Sequence, residues 1–407
     1  MMIQPAACTS RIRLLCVGSD LRGGGAERIQ LTLLAHLDRS RFDVRLFYLR
    51  NIGTLHGLIP RDIVPRYGVR GDQNLRARAL HVLTALVRLA RQADVIFAMQ
   101  EGTPVYLAAI AGHLTGRPVV GWIRICWSRM LNELGGWHRW ASRFFYPRLD
   151  LLICVSDGVA RDLVTFCPTL RGKTVFVPNP QDLERIRGQA QAPLPQSAEH
   201  AFEKRTLLAT GRFVQQKGFD VLLKAFADLT RRGLDLHLII LGEGPERSRL
   251  EHLANELGLS PRVFMPGFQI NPYPFFARAE VFLLTSRYEG FANVIVEALC
   301  LGVPLVASDC PHGPREILQD GRCGILIPAE NPTALADAVE SILGSTETRA
   351  RLRAAGLHRA QQYDVRTGKA SFENLLANCL RPSTCEGVLM GADPPTSGAG
   401  PGKPHDH

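Results

Sequence analysis

The chain has 407 residues, of which 46% are hydrophobic and 21% charged, a composition typical of a globular enzyme with two or three domains. No run of about 18 apolar residues occurs, and the N-terminus has no basic start followed by a long apolar stretch, so neither a membrane-spanning helix nor a secretory signal is expected. The ten cysteines include no Cys-x-x-Cys pair, which favours reduced core thiols in a cytosolic protein over a disulfide framework or a zinc site.

The net charge of +10 belongs to one half of the chain. Residues 1–186 hold 25 Lys and Arg against 14 Asp and Glu, whereas residues 187–407 hold 23 against 24. A basic half indicates either an anionic partner or a solvated arginine-rich surface. The anionic partner would be a membrane surface, a phosphorylated substrate or a nucleic acid.

The first half of the chain alternates short apolar runs with amphipathic stretches. The pattern predicts strands at 12–17, 43–49, 94–99, 118–124, 150–155 and 174–177. Helices are predicted between them, for example at 26–38, 75–92, 104–114 and 157–166. Strands that alternate with helices favour a parallel sheet covered on both faces.

A second series of alternating strands and helices follows. Its strands are predicted at 206–210, 236–241, 262–265, 280–284, 304–307 and 324–327. Residues 187–204 are polar and without periodicity, so they are predicted to link two Rossmann-like domains, 1–186 and 205–362. A C-terminal helix is predicted over 363–384, and the Gly- and Pro-rich tail at 385–407 is predicted to be disordered.

The segment EGFANVIVE carries two carboxylates, Glu289 and Glu297, on either side of a predicted helix start. Gly290 permits a turn after the preceding strand, and the amides of residues 292–294 at the helix start suit a phosphate. Because a phosphate would repel a carboxylate, both Glu side chains are predicted to accept hydrogen bonds from sugar hydroxyls beside it. The alternative is that they only complement the helix dipole.

Two cations follow the first strand of the second half. Arg212 and Lys217 lie five residues apart at the carboxyl end of that strand, where they are suited to clamp a pyrophosphate. The next strand ends in the turn GEGP at 242–245, so three strand ends carry glycines and charges and should line one crevice. In the first half, the glycines at 23–25 do not form Gly-x-Gly-x-x-Gly. They either let the backbone approach a ligand or form an ordinary flexible loop.

Together these motifs resemble the retaining glycosyltransferases of family 4, which have the GT-B architecture. The resemblance runs from about residue 12 to 380, is strongest over 205–330, and is carried by GGAER at 24–28, GR at 211–212, KG at 217–218, GEGP at 242–245 and SRYEGFAN at 286–293 with its Glu-x7-Glu spacing. The segment SDCPHGPREIL at 308–318 is similar to that of transferases that build bacterial surface polysaccharides. The resemblance implies an α/β fold of two Rossmann-like domains facing across a cleft, with the last helix crossing back onto the first domain.

The resemblance also implies residue roles. Arg212 and Lys217 would hold the diphosphate of the donor and Glu289 would contact the transferred sugar, so these three are the catalytic candidates. Glu297 would contact the ribose hydroxyls. The other donor-binding candidates act through their backbone or line the cleft: Gly24, Gly25, Gly211, Gly290, Phe291, Ala292, Asn293 and Val294. Neither a metal nor another cofactor is expected, because no Asp-x-Asp or His/carboxylate cluster is recognisable.

The acceptor side departs from the family pattern. Many relatives place a His near the end of the fourth predicted strand, whereas this chain has Arg124 there and His138 further on, so both are acceptor-side candidates. All four tryptophans fall within 122–140, interleaved with arginines. This mixture suits a membrane interface, although Trp also packs in domain cores and stacks on single-stranded nucleic acid.

The sequence therefore predicts a metal-independent, retaining hexosyltransferase. It would move a hexosyl or N-acetylhexosaminyl unit from a nucleoside-diphosphate sugar to a hydroxyl of a lipid-linked or other saccharide acceptor in cell-surface polysaccharide biosynthesis. The expected location is the cytoplasm, peripheral on the inner face of the cell membrane, and no nucleic-acid partner is expected. The alternatives are a non-catalytic protein that binds nucleotide sugar on the same scaffold and an epimerase or phosphorylase of the same architecture.

Overall fold

A computed structural model describes residues 11–71, 73–134 and 136–380, and for residues 132–134 and 197 it describes the backbone alone. The tail predicted at 385–407 and residues 381–384 of the predicted last helix lie outside the described residues. None of the described helices is both long and apolar enough to cross a membrane. The structure confirms the predicted pair of α/β domains, each built on one parallel sheet.

The first sheet has seven parallel strands in the order β3-β2-β1-β4-β5-β6-β7. These are β1 Ile12–Gly18, β2 Phe42–Asn51, β3 Arg66–Arg70, β4 Val95–Ala98, β5 Val119–Ile123, β6 Leu151–Cys154 and β7 Thr174–Phe176. The sequence predicts six of them and misses β3, because RYGVR is short, has charged ends and contains no apolar run. Since strand order reverses between β1 and β4, the loops after these strands open a crevice.

Six helices accompany the first sheet: α1 Gly25–His36, α2 Ala79–Ala90, α3 Thr103–Thr115, α4 Trp127–Leu134, α5 Gly136–Phe145 and α6 Asp157–Phe166. Helices on both faces explain why β4 and β5 are buried along their whole length. Helix α6 begins where the Ser156 side chain accepts a hydrogen bond from the Val159 amide at 3.1 Å, which satisfies one of the free donors of the first turn.

The second sheet has six parallel strands in the order β10-β9-β8-β11-β12-β13. These are β8 Arg205–Thr210, β9 Leu236–Leu241, β10 Val263–Phe264, β11 Val281–Leu284, β12 Leu305–Ser308 and β13 Ile325–Ile327. The helices of this domain are α8 Phe219–Arg231, α9 Arg247–Glu256, α10 Tyr273–Arg278, α11 Asn293–Cys300, α12 Pro314–Ile317, α13 Pro332–Gly344 and α14 Thr346–Ala360.

The segment predicted as a linker is more ordered than its polar sequence indicates. Helix α7, Leu183–Ala190, spans the predicted boundary at residue 186, and a 3-10 helix follows over Gln196–Phe202. The Asp182 side chain caps α7 by accepting from the Arg185 amide at 3.0 Å. Because α7 packs against α10 and α11, it belongs to the second domain, and the chain crosses between the domains before it.

The chain crosses back near residue 364, beside its first crossing. The Gln181 amide donates to the Tyr363 carbonyl at 2.7 Å, and the Val365 amide donates to the Gln181 carbonyl at 2.8 Å. The last helix, α15 Val365–Asn378, then lies on the first domain, where the Asp38 amide donates to the buried Glu373 carboxylate at 2.8 Å. The two crossings therefore run side by side.

The four tryptophans divide into two groups. Trp122 and Trp127 are fully buried, and Trp122 packs edge-on against Phe372 of α15 with ring centroids 4.8 Å apart. The prediction of a membrane interface is wrong for this pair, because both are core residues. Trp137 and Trp140 on α5 are instead 54% and 59% exposed. The predicted core thiols are confirmed for seven of the eight described cysteines, since only Cys379 is half-buried.

Candidate functional site at the sheet edge between the domains

Lys217 and Glu289 meet at the carboxyl ends of β8 and β11. The Lys217 ammonium donates to the Glu289 carboxylate at 2.6 Å, and the Ser286 hydroxyl donates to the same oxygen, also at 2.6 Å. Both ionic side chains are largely buried, with 15% and 8% of their surfaces exposed. Buried charges need such partners, so the pair is a preformed ionic centre that faces the cleft.

The turn after β8 fixes the position of this lysine. Gly218 has a left-handed backbone with φ of +64°, and a Cβ there would lie 2.2 Å from the Thr285 carbonyl oxygen. The Thr285 hydroxyl donates to the Lys217 carbonyl at 2.9 Å, which ties the turn to the end of β11. Gly211 leaves room for the lysine stem, because a Cβ would approach it to 3.2 Å. Only glycine tolerates both the backbone angle and the contact at position 218.

Arg212 lies in the same turn but is arranged differently. Its side chain is exposed, and no described residue forms an ion pair or hydrogen bond with its guanidinium. Lys217 is therefore held against Glu289, whereas the Arg212 guanidinium is free to pair with an anion. The structure thus places the two predicted clamp residues in one turn without engaging both in the same contact.

The start of α11 supplies amide donors next to this centre. Ala292 precedes the helix in a left-handed conformation, with φ of 60° and ψ of 65°. Within the described part of the chain, the amides of Ala292, Asn293 and Val294 have no hydrogen-bond partner. Unpaired amides at a helix start favour an anion, and a strained non-glycine backbone is typical of functional sites.

Glu297 lies one turn into α11, in a separate environment. It is 7% exposed and accepts a hydrogen bond from the Tyr273 hydroxyl. Burial raises the pKa of Glu297 to about 6, although Arg28, Arg185 and Tyr273 each favour the ionised form. The effect of desolvation on the pKa therefore exceeds that of the nearby cations. Further hydrogen-bond donors from a ligand would stabilise the ionised carboxylate.

The first domain closes the cleft with its glycines. A Cβ at Gly25 would lie 3.5 Å from Nδ2 of the Asn293 side chain, so the backbone of the Gly-rich loop faces the start of α11. Gly24 precedes α1, and a Cβ there would lie 2.4 Å from the Glu27 carboxylate, so this side chain would have to move. Gly290 contacts the other wall, because its Cβ would lie 2.0 Å from the Arg124 carbonyl oxygen. The two domains therefore meet across the cleft, so the structure shows the cleft in a closed form.

The two acceptor-side candidates do not reach the ionic centre. The Arg124 guanidinium is buried, donates to the Ala26 carbonyl at 2.6 Å and lies over the Trp122 ring. Its Nη2 is also 3.8 Å from the Glu101 carboxylate, so it joins α1 to β5 instead of facing an acceptor. His138 is half-buried on α5, where its ring lies 3.4 Å from the Tyr106 hydroxyl.

Several polar residues of the site escaped sequence reasoning. The Asn293 side-chain oxygen accepts from Asn179 at 2.9 Å and from Gln181 at 3.2 Å, and the Ser156 hydroxyl donates to the Gly290 carbonyl at 2.9 Å. The sequence could have indicated Asn179, Gln181 and Ser156 by their position, because each follows a strand of the first sheet at the edge where the parallel strands end. These contacts hold the loop before α11 against the first domain.

Family profiles match both domains. The profile described as Glycosyltransferase Family 4 matches residues 23–185, and the profile described as Glycosyl transferases group 1 matches residues 192–359. Together they cover the second sheet, the first sheet without β1, and the residues of the ionic centre. The chain carries a Glycosyltransferase Family 4 domain followed by a Glycosyl transferases group 1 domain. Arg124 and His138 both lie within the segment that the Glycosyltransferase Family 4 profile matches.

Two curated relatives of this chain come from bacterial glycan synthesis. The N-acetylgalactosamine-N,N'-diacetylbacillosaminyl-diphospho-undecaprenol 4-alpha-N-acetylgalactosaminyltransferase of Campylobacter jejuni is 31% identical over 232 residues, 57% of this chain and 61% of that protein. The lipopolysaccharide core biosynthesis glycosyltransferase LpsE of Rhizobium meliloti is 36% identical over 224 residues, 52% of this chain and 59% of that protein. The matched segments thus span little more than half the length of these relatives.

Solved structures agree on the fold. HepE from Anabaena, in complex with UDP and glucose, superposes with a TM-score of 0.77 at 20% identity, covering 90% of this chain and all of that one. This match supports the predicted GT-B architecture of two parallel-sheet domains facing across a cleft.

Proposed function

We propose that the protein transfers a hexosyl or N-acetylhexosaminyl unit from a nucleoside-diphosphate sugar to a hydroxyl of a lipid-linked glycan in cell-surface polysaccharide biosynthesis, with retention of the anomeric configuration. One observation carries this proposal. At a single edge of the second sheet, the buried Lys217–Glu289 pair, the free guanidinium of Arg212 and the unpaired amides of residues 292–294 converge.

This arrangement can stabilise a leaving diphosphate with the residues of the chain alone. Negative charge develops on the diphosphate as the glycosidic bond breaks, and preorganised cations and amides facing it lower the barrier. Lys217, Arg212 and the start of α11 supply those groups, so no metal is required in the proposed mechanism. Glu289 would accept hydrogen bonds from the transferred sugar, and Glu297 from the ribose. A phosphate oxygen of the donor would take the proton of the acceptor hydroxyl on the same face.

The relatives support the substrate classes. The name of the Campylobacter jejuni relative includes diphospho-undecaprenol, and that of LpsE includes lipopolysaccharide core biosynthesis. HepE has been solved with UDP-glucose. The rival function, a non-catalytic protein that binds nucleotide sugar, would need the nucleotide contacts but not a sugar-facing carboxylate held by Lys217 and Ser286.

Turnover of Arg212→Ala and Lys217→Ala tests the diphosphate clamp. Each change removes one charged contact to the leaving group, which costs on the order of 2–4 kcal/mol of barrier, or roughly 30- to 1,000-fold in rate. The matched control is Lys224→Ala, which removes an exposed lysine of α8 in the same domain. Donor consumption should fall in both clamp variants, with the circular dichroism spectrum unchanged. Near-normal turnover in both would exclude the clamp, and binding of nucleotide sugar without any turnover by the native protein would favour the rival.

We also propose that the first domain docks on the inner face of the cell membrane through α5. Trp137, Trp140 and Phe144 recur at helical spacing, and their rings stack in sequence with centroids 6.1 Å and 5.4 Å apart. All three are exposed, and Arg148 lies 3.6 Å over the Phe144 ring. Exposed aromatics beside arginines suit the headgroup region of an anionic membrane, where each nearby cation contributes about 1 kcal/mol.

Co-sedimentation with liposomes over a salt series tests the docking. Binding should be strong on anionic vesicles, weak on neutral ones and weakened by salt, because the attraction is screened within about 10 Å at 0.1 M. Trp137→Ala combined with Trp140→Ala should reduce binding severalfold. The control Leu80→Ala removes an even more exposed apolar side chain, on α2, and should have no effect. Equal, negligible binding to both vesicle types at low salt would refute the docking and favour a soluble acceptor.

A further inference from the structure

Three side chains of the types that bind metals meet where the two domains touch. Cys126 follows β5, Asp162 lies on α6 and His312 follows β12, so the first two belong to one domain and the third to the other. One ligand atom from each residue lies within 4.8 Å of the others. No other group of three such residues converges in the described part of the chain.

The backbone is shaped to bring His312 into this cluster. His312 has a positive φ of 65°, a conformation uncommon for a residue other than glycine. Its ring occupies space that only a glycine leaves at position 158, since a Cβ there would lie 2.3 Å from Nδ1 of the imidazole. Next to it, Gly313 approaches the backbone of Phe291, which leads into α11. A strained histidine pressed against a glycine of the opposite domain indicates a placement that its surroundings enforce.

The hydrogen bonds of the cluster leave donor atoms available. Oδ2 of Asp162 accepts from the Ser128 amide at 3.0 Å, which orients the carboxylate and leaves its other oxygen unused. The Cys126 sulfur lies 3.6 Å from the Ser128 hydroxyl and is buried. Nearby cations are present as well, because Arg129 and Arg161 face the imidazole. Arg161 is paired with Asp157 at 2.8 Å, which reduces its repulsion of a metal ion.

We infer that Cys126, Asp162 and His312 form a zinc site that bridges the two domains and holds the cleft closed. Sulfur, imidazole nitrogen and carboxylate oxygen are the ligands that Zn²⁺ prefers, at about 2.0–2.3 Å from the metal. In a tetrahedral site this places ligand atoms roughly 3.3–3.6 Å apart, so separations of up to 4.8 Å need to shorten by at most roughly 1.5 Å. A thiolate and a carboxylate together balance the charge of Zn²⁺, and the fourth position remains for water.

None of the three ligands is hydrogen-bonded or ion-paired to Lys217 or Glu289, although the Glu289 amide donates to the carbonyl of Pro311, next to His312, at 3.1 Å. The effect of the zinc site would be mechanical. A metal held by ligands from both domains stabilises only the form in which they meet, so binding shifts the population toward the closed cleft. The site would therefore make closure depend on free zinc.

Metal binding by the full chain tests the site directly. After reduction, equilibration with Zn²⁺ and dialysis, the protein should hold one zinc per chain, and Co²⁺ should give the thiolate charge-transfer and visible bands of a tetrahedral site. Cys126→Ser, Asp162→Asn and His312→Asn should each weaken the affinity by more than roughly 100-fold, since losing a ligand costs at least as much as losing its supporting contacts. Asn is chosen at 312 because it tolerates a positive φ.

Hydrogen exchange distinguishes a bridge from a site on one domain. Zn²⁺ should slow amide exchange in segments 126–129 and 311–314 together, and Asp162→Asn should abolish both effects. The control Cys323→Ser removes a buried thiol outside the cluster and should retain zinc and protection. The inference is overturned if no zinc is retained, if Co²⁺ shows no thiolate band, if the ligand variants bind as the native protein does, or if protection appears on one domain only.

Discussion

Glu297 should couple nucleotide binding to proton release. Burial raises the pKa of Glu297 to about 6 from an ordinary value of 4.5, so near pH 6 about half of the molecules carry a neutral carboxyl. Ribose hydroxyls that donate to this group would favour its ionised form and return the pKa toward 4.5. At pH 6 binding should then release roughly 0.5 proton.

The same shift sets the pH dependence of affinity. A difference of 1.5 between the free and bound pKa corresponds to about 2 kcal/mol, or roughly 30-fold in affinity. Affinity should be full above pH 6 and fall as the pH decreases through 6 toward 4.5, because binding must then displace a proton. The contribution of Glu297 to the stability of the fold depends on pH in the opposite direction. The raised pKa of Glu297 stabilises the fold below pH 4.5, and this stabilisation is lost as the pH rises through 6.

Calorimetric titration in two buffers of different ionisation enthalpy measures the released proton. The ligand should be an intact nucleotide sugar, because a terminal phosphate titrates near pH 6 itself. Glu297→Gln is the matched variant, since it keeps the shape and removes the titration. It should bind more weakly at pH 7.5, release no proton, and be more stable than the native protein above pH 6 by up to about 2 kcal/mol. Equal proton release by both proteins would refute the assignment of Glu297 to the ribose.

Three further outcomes are expected. Glu289→Gln should lower sugar transfer by at least roughly 30-fold while leaving the affinity for the bare nucleoside diphosphate within about threefold; calorimetry showing the opposite pattern would reverse the roles of Glu289 and Glu297. Gly290→Ala should lower kcat by roughly 100-fold or more with nucleotide binding retained, because its Cβ would lie 2.0 Å from the Arg124 carbonyl oxygen only when the cleft is closed; unchanged kcat would show that turnover does not need this closed form. In Cys126→Ser, which lacks the proposed zinc site, neither EDTA nor added Mg²⁺ should change turnover; restoration of lost activity by Mg²⁺ would contradict metal-free stabilisation of the diphosphate.

The fold followed from sequence wherever apolar runs are long and unambiguous. Strands such as LHLIIL at β9 are buried throughout and therefore read as continuous hydrophobic segments. The prediction failed at β3, whose five residues include two arginines and a glycine, and at α7, whose polar sequence gains its stability from packing on the second domain. Local pattern does not contain that tertiary contact.

Side-chain directions were the least predictable part of the site. The sequence places Lys217 and Glu289 at one sheet edge, but only the structure shows their ion pair, across 72 positions of the chain. The sequence likewise indicates Arg124 as a cation near the acceptor, whereas in the structure its guanidinium donates to the Ala26 carbonyl. The cluster of Cys126, Asp162 and His312 combines three distant segments of two domains, and no spacing rule for metal ligands detects it.

The paired crossings near Gln181 and Asp364 define how this molecule can move. Backbone hydrogen bonds join the two crossings into one connection, so a change in the angle between the domains would take place there. The Gln181 side chain also donates to Asn293, beside the proposed nucleotide site. A nucleotide bound at that site would therefore act directly on the connection between the two domains, because Gln181 belongs to both that site and that connection.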